Sequence, residues 1–368
     1  MDERLEQKLG FDRIRSMTES RCFTSKARER ANSNLFSMSL ADIEEELSRS
    51  DEMRLIIMFE SGFPDSGYVD TYPFLKQLEH PSYILDLNSL VRLRSSLETI
   101  RQIVNFFQNV KEDKYPRLSK MAAPIISFPE VNRRIDAIID KFGDIRDNAS
   151  SELQSIRKSL KDKEGQISRR IQAILKNAQS EGLVEEDVSI SVRDGRVLIP
   201  VSASNKRKIP GIIYDESASG KTAFVEPLEI VELNNQVREL HFAEQREIVR
   251  ILTEFSDFLR PYLPELLKSA EFLSEIDFLR AKGLLAIQMQ AGKPIISSEQ
   301  LVVLNKGRHP ILESALKKEG KEIVPLSLSL SKEKHILLIS GPNAGGKSVC
   351  LKTVGLLQYM FQCGFLVP

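Results

Sequence analysis

His335-Ile336-Leu337-Leu338-Ile339-Ser340-Gly341-Pro342-Asn343-Ala344-Gly345-Gly346-Lys347-Ser348-Val349 is a short apolar run that enters a glycine-rich loop and leaves it on Lys-Ser. The spacing from Gly341 to Gly346-Lys347-Ser348 is the Walker A pattern. The apolar run predicts a buried strand over 335–340. Val349, Leu351, Val354, Leu357 and Phe361 predict a helix after the loop. Strand, loop and helix are the setting in which backbone N–H groups and a helix N-terminus converge on phosphate oxygens. The expected contacts are Gly341, Pro342, Asn343, Ala344, Gly345, Gly346, Lys347, Ser348 and Val349. Lys347 is the candidate catalytic group, reaching the β and γ phosphates, and Ser348 the candidate Mg²⁺ ligand, which makes ATP and Mg²⁺ the expected cofactors.

Upstream of this unit, Leu301–Leu304 and Leu326–Leu330 read as further strands. Residues 1 to about 120 read as short helices joined by polar loops. Leu90, Leu93, Leu97, Ile100, Ile103 and Val104 form one helical face, and the stretch from Ser61 to Gly67 has loop chemistry. Between these regions lies a long seam. Val131, Ile135, Ile138, Phe142, Ile145, Ala149, Leu153, Ile156, Leu160, Ile167, Ile171, Ile174 and Ala178 recur mostly in steps of four and three. One helix over that length would run roughly 75 Å and needs a partner to cover its apolar stripe. Ile230, Leu233, Val237, Leu240, Ile251, Phe255 and Phe258 supply one, with Glu244 a polar break. The pair predicts an antiparallel coiled-coil arm; an ordinary helical bundle is the alternative.

The insert between the two seams changes period. Val188, Ile190 and Val192 alternate with polar residues, Asp194-Gly195 turns the chain, and Val197, Ile199 and Val201 alternate back. Gly211–Tyr214 and Thr222–Val225 are further strand candidates, and Pro227 stands where a returning helix can begin. Two local look-alikes sit inside this insert. Ser219-Gly220-Lys221-Thr222 imitates the end of a second phosphate loop, but Asp215 stands at the first glycine position and no helix follows, so it reads as a turn. Ile212-Ile213-Tyr214-Asp215-Glu216 imitates an acidic-ended catalytic strand and reads as an ordinary one. Arg193 and Arg196 flank the hairpin turn, and Lys206-Arg207-Lys208 form a basic cluster. These five are the candidate nucleic-acid contacts, weighed against a solvated loop that carries charge for solubility.

The composition excludes little. Lys+Arg and Asp+Glu are balanced at 52 each, so net charge selects no partner, though local basic stretches remain open to nucleic acid. Cys22, Cys350 and Cys363 form no CxxC pair, which fits a reducing compartment. A charged start and the lack of a membrane-length apolar run predict a cytoplasmic protein with no membrane association. After Ser348 no strand ending in an acidic residue follows before Pro368. The expectation is therefore a nucleotide domain cut off after its first helix, and a chain that does not hydrolyse ATP by itself.

Gly307-Arg308-His309-Pro310-Ile311-Leu312-Glu313, followed by Gly-Pro-Asn-x-x-Gly-Lys-Ser, resembles the opening of the MutS-family ATPase domain. Ala344-Gly345 within the loop, Val349 after it, the Arg193–Arg196 turn and the run from Ser217 to Pro227 are more similar to the second bacterial branch, MutS-two. The resemblance implies a mainly α fold with an α/β P-loop start. In order it implies a helical core (1–125), an ascending lever helix (126–186), a β-rich clamp tip (187–227), descending lever and core helices (228–294), and the N-terminal part of a P-loop ATPase domain (295–368). It implies an ATPase in the full-length parent, a homodimer, and a clamp on branched or duplex DNA linked to suppression of recombination. The alternatives are a rescue ATPase on collided ribosomes, with rRNA as the contact, and a non-hydrolysing binding or dimerisation module. His309 and Pro310 are placed near the nucleotide by the same resemblance, with an ordinary turn as the alternative.

Overall fold

The computed structural model describes residues 3–111, 113–342 and 346–368. Numbered in chain order, the helices are α1 (Glu3–Leu9), α2 (Phe11–Glu19), α3 (Ser25–Asn32), α4 (Leu40–Phe59), α5 (Tyr72–Gln77), α6 (Leu87–Asn109), α7 (Pro116–Ala122), α8 (Pro129–Ile138), α9 (Ser151–Ser180), α10 (Leu228–Leu259), α11 (Leu263–Gln288), α12 (Pro310–Lys318) and α13 (Lys347–Gln362). The strands are β1 (Ser191–Arg193), β2 (Arg196–Ser202), β3 (Gly211–Glu216), β4 (Thr222–Pro227), β5 (Val302–Gly307) and β6 (Leu326–Leu330). The fold is mainly helical, with one small four-stranded antiparallel sheet. Two compact units divide it: one holds the chain up to Tyr83, Asn88–Asn132 and Arg260–Pro368, the other Ile84–Leu87 and Arg133–Leu259.

The first unit is a helical core. Leu90, Leu93, Leu97, Ile100 and Ile103 of α6 are all buried, as their spacing requires. The amino-terminal region is not built only of short helices, because α4 has 20 residues and α6 has 23. Each carries an apolar stripe that stays in helical phase, and α4 lays its stripe on α11, which is buried almost all round. Asp277 of α11, fully buried, accepts from the backbone N–H of Phe23 (2.7 Å) and Thr24 (2.9 Å), so the entry to α3 is fixed by a carboxylate from another helix.

A second cluster in this unit joins α2, α4, α11 and α13 through Phe11, Ile14, Leu47, Leu285, Leu356, Met360 and Phe365. Beside it, Glu6 accepts from Arg15 Nε (2.7 Å), Arg15 Nη2 (2.8 Å) and the Tyr359 hydroxyl (2.7 Å). Burial pushes the Glu6 carboxyl up, but these donors outweigh it and hold it below its ordinary range. Both upstream strand candidates form strands, β5 and β6, and these pair antiparallel. The run 335–340 differs from its expectation: it forms no strand, and Ile336 and Leu338 are 82% and 89% exposed. An apolar strand of this type is stable only between neighbours that satisfy its backbone and cover its faces. None lies against it among the described residues.

Lys282 of α11 is 2% exposed, and its Nζ makes no hydrogen bond among the described residues. Glu46 Oε2 stands 3.8 Å away, and the rings of Phe278 and Phe365 lie under the amine. Burial pushes its pKa down, with Glu46 and Glu275 only partly offsetting. The unfolded chain therefore holds a proton below about pH 10.4 that the folded chain binds less tightly. Stability contributed at this site rises with pH between the folded and unfolded values. Lys282→Met is expected to stabilise the protein by about 1–2 kcal/mol near pH 7 and to flatten that rise. Urea melts of both proteins at neutral and alkaline pH check this; a destabilised Met variant would contradict it.

The second unit is a pair of antiparallel helices ending in the sheet. Ser150 bonds Glu247 (2.6 Å), Arg157 bonds Glu244 (2.8 Å), and Arg170 reaches the Glu229 carbonyl (3.5 Å), so one helix ascends as the other descends. Ile156, Leu160 and Ile167 of α9 pack with Leu233 and Val237 of α10. Ile171, Leu175, Ala178 and Ile230 then continue under Ile199, Val201 and Val225 of the sheet. The seam expected as one helix from 131 to 178 is broken in two. The Asp140 carboxylate accepts from the N–H of Phe142 (2.8 Å) and Asp144 (3.0 Å), and Ile139 pairs with Ile145 across the turn. Such a side-chain turn competes with helix continuation. Ser150 then caps α9 by accepting from Leu153 N–H (3.0 Å). Phe142, counted in the seam by spacing, is 78% exposed.

The sheet has strand order β1-β2-β4-β3, all antiparallel. Asp194 (φ 47°) and Gly195 (φ 74°) make the two-residue turn of the first hairpin in the left-handed conformation that type I′ requires. Both look-alikes are structural. Ser217–Lys221 is the turn joining β3 to β4, closed by Gly220 N–H to the Ser217 carbonyl (2.7 Å), and Ile212–Glu216 lies within β3.

Candidate functional site

α13 begins at the Walker A lysine. Gly346 precedes it with φ 80°, a left-handed conformation that turns the loop into the helix, and Cys350 N–H closes the first turn on the Gly346 carbonyl (2.9 Å). Gly341, Pro342, Gly346, Ser348 and Val349 are exposed, and Lys347 is half-buried. The Lys347 ammonium donates to the carbonyls of Gly341 (2.5 Å) and Pro342 (2.7 Å), bridging the two ends of the loop. Asn343, Ala344 and Gly345 lie outside the described residues. This end of α13 thus presents an exposed helix N-terminus, a primary ammonium and a hydroxyl, the donor set that anionic oxygens and a hydrated divalent cation require.

The expected helical face needs correction. Thr353, Leu356, Leu357, Tyr359 and Met360 are the buried positions, while Val349 and Leu351 are 40% and 72% exposed. The helix packs on α1, α2 and α4 with one face and leaves another apolar face open. Along that open face a groove of 1090 Å³ is lined by Ile295, Leu301, Leu304, Leu330, Val354 and Phe361, away from the lysine. His309 caps α12, accepting from Leu312 N–H (3.4 Å), and burial pushes its imidazolium pKa down. Arg308 bonds Glu313 (2.6 Å) and the Met289 carbonyl (3.0 Å). The Gly307–Glu313 motif therefore performs a turn and capping role in this chain.

The five candidate nucleic-acid contacts are not equally available: Arg193, Arg196 and Lys206 are engaged in ion pairs within the sheet. β2 leads from the Arg193–Arg196 turn to Ser202 beside Thr222, and the 203–210 segment then turns back, so that the Pro210 carbonyl accepts from Leu228 N–H (3.1 Å). Arg193 pairs with Asp215 and lies 3.6 Å above the Phe224 ring. Arg196 pairs with Glu226 (2.6 Å), which is 2% exposed, and donates to Asn235 (2.8 Å). Lys206 pairs with Glu216 (2.7 Å). Arg207 and Lys208 are exposed and make no ion pair among the described residues. Lys221, in the β3–β4 turn, joins them. It is exposed, and its carbonyl accepts from Ala203 N–H (2.9 Å), which sets the β3–β4 turn beside the 203–208 loop.

No helix among the described residues is long and apolar enough to cross a membrane. A helical core that ends in a phosphate-loop sequence, with a helix pair tipped by a small sheet, defines the class of chain that comparison with known proteins then narrows. No family model matches it. Relatives in Alkaliphilus oremlandii (strain OhILAs) and Geobacillus sp. (strain WCH70), both named endonuclease MutS2, are 33% and 31% identical over 100% of this chain, and it covers 46% of each. A protein of the same name in Latilactobacillus sakei subsp. sakei (strain 23K) is 31% identical over the same extent. The chain belongs to the MutS family, in the branch of these relatives, and spans about half of their length.

Proposed function

We propose that the chain is the nucleotide-responsive part of a MutS-like clamp that holds branched or duplex DNA. The open start of α13 supports nucleotide binding. Lys347, freed from the Gly341 and Pro342 carbonyls, turns to the β and γ phosphates of ATP, and Ser348 ligates Mg²⁺. In this reading His335–Ser340 becomes a strand once flanked by further strands, which covers its exposed apolar residues. The helix pair serves as the lever and the sheet as the clamp tip.

The DNA reading rests on Arg207, Lys208 and Lys221, all exposed, in the two loops that the Ala203–Lys221 hydrogen bond joins. Each supplies a charge without first breaking an ion pair in the protein, whereas Arg193 and Arg196 are already committed to it. The relatives' name, endonuclease, points to the same substrate class. Changing Arg207, Lys208 and Lys221 to alanine together is expected to weaken binding to a four-way junction and to plain duplex alike. The slope of log K against log salt should fall by about 2 to 3, near 0.9 for each phosphate that is no longer neutralised. An unchanged slope in a titration of the whole chain would remove the tip from the interface.

A further inference from the structure

α13 carries the phosphate-binding end at Lys347 and is gripped at the other end by a polar network. Tyr359 lies three turns along, roughly 18 Å from Lys347 at 1.5 Å per residue, and is 5% exposed. Its hydroxyl donates to Glu6 Oε1 (2.7 Å) in α1. Glu6 is held in turn by the two-point fork of Arg15 from α2. The remaining Arg15 nitrogen donates to the carbonyls of Ala31 (2.6 Å) and Ser33 (2.7 Å), at the end of α3. Phe11 sets its ring edge against Tyr359 at 4.7 Å, and a Cβ on Gly355 would stand 2.7 Å from Leu9. The contact between α13 and α1 is close enough to transmit small displacements.

Apolar packing alone holds helices together at lower desolvation cost than a buried ion pair does. What the network adds is direction. A hydrogen bond of 2.7 Å weakens steeply when its partner slides by about 1 Å, whereas neighbouring apolar contacts tolerate that shift. We propose that Tyr359, Glu6 and Arg15 are positioning residues that couple the axial position of α13, and with it the phosphate-binding end, to α1, α2 and the end of α3. The proposal rests on the reading of Lys347 and Ser348 as a nucleotide site.

Hydrogen exchange on the whole chain, with and without Mg·ATP, tests it alongside a direct nucleotide titration. In the unaltered chain bound nucleotide is expected to slow exchange in residues 3–33 by about fivefold, the low end of usual coupling between sites. Tyr359→Phe keeps the ring and removes only the hydroxyl. It should leave the nucleotide Kd within about threefold and cut the exchange response below about twofold. A full response in this variant, or none in the unaltered chain with nucleotide bound, would overturn the proposal. Absent nucleotide binding strikes the site reading itself, and is a separate outcome. If Tyr359→Phe does not fold, Glu6→Gln keeps an acceptor for Tyr359 and loses the charged fork with Arg15. The same reduced response is expected there, and a full one overturns the coupling.

Discussion

Lys347→Ala is expected to raise the Kd for Mg·ATP by roughly a hundredfold, the loss of about 3 kcal/mol carried by charge-assisted hydrogen bonds to phosphate. In the structure the Lys347 ammonium already has two partners, the carbonyls of Gly341 and Pro342. Phosphate therefore competes with the loop's own acceptors, and the net gain is smaller than for an unengaged lysine. Lys347→Arg should not rescue binding, because a planar fork does not replace a compact ammonium within a loop of this size. Titration with a fluorescent nucleotide, at fixed Mg²⁺, measures both variants against the unaltered chain. Binding retained in Lys347→Ala would mean that the Walker A pattern here is not a phosphate site.

The second large effect is expected at the base of the tip. The Glu226 carboxylate accepts from Arg196 Nη1 (2.6 Å) and Asn234 Nδ2 (2.7 Å), and both Glu226 and Asn234 are buried. Asn234 also faces the backbone of Val197, with its side-chain oxygen 3.5 Å from the N–H. Glu226→Ala leaves a mostly buried guanidinium and a buried amide without their acceptor, at a cost of about 3–5 kcal/mol. Protection from hydrogen exchange in residues 191–230 should fall by two to three orders of magnitude, roughly one for each 1.4 kcal/mol. The core around Phe11 and Met360, which shares no partner with this network, should keep its protection. Equal losses in both regions would show that the network does not act locally. Glu226→Gln, which keeps an acceptor oxygen, should lose less than alanine.

Local chemistry made much of this legible in sequence. The alternation of Val197, Ile199 and Val201 around Asp194-Gly195 specifies a hairpin with little help from the rest of the chain. Asp215 at the first glycine position, with no helical pattern after Thr222, argues against a second phosphate loop. Periodicity located α6, α9, α10 and α13, because an amphipathic stripe is a property of a short window. It overran at residues 139–150, where Phe142 and Ile145 keep the spacing but Asp140 closes a turn that periodicity does not register.

The phosphate-loop sequence shows the same division. Gly341 to Ser348 in its spacing, the family it belongs to and the start of α13 are all readable in the residue order. The state of 335–340 is not, because a central strand exists only through neighbours that a window of sequence does not contain. Nor does residue order tell which cations are committed. Arg193 and Arg196 look as available as Arg207 until the sheet sets Asp215 and Glu226 beside them, and Lys221 looks like a decoy until β4 carries it alongside the 203–208 loop. Sequence by itself determined the chemistry on offer and the local elements that carry it. Tertiary structure decided which charges are spent on the fold, and that Tyr359 meets Glu6, since both depend on contacts between residues far apart along the chain.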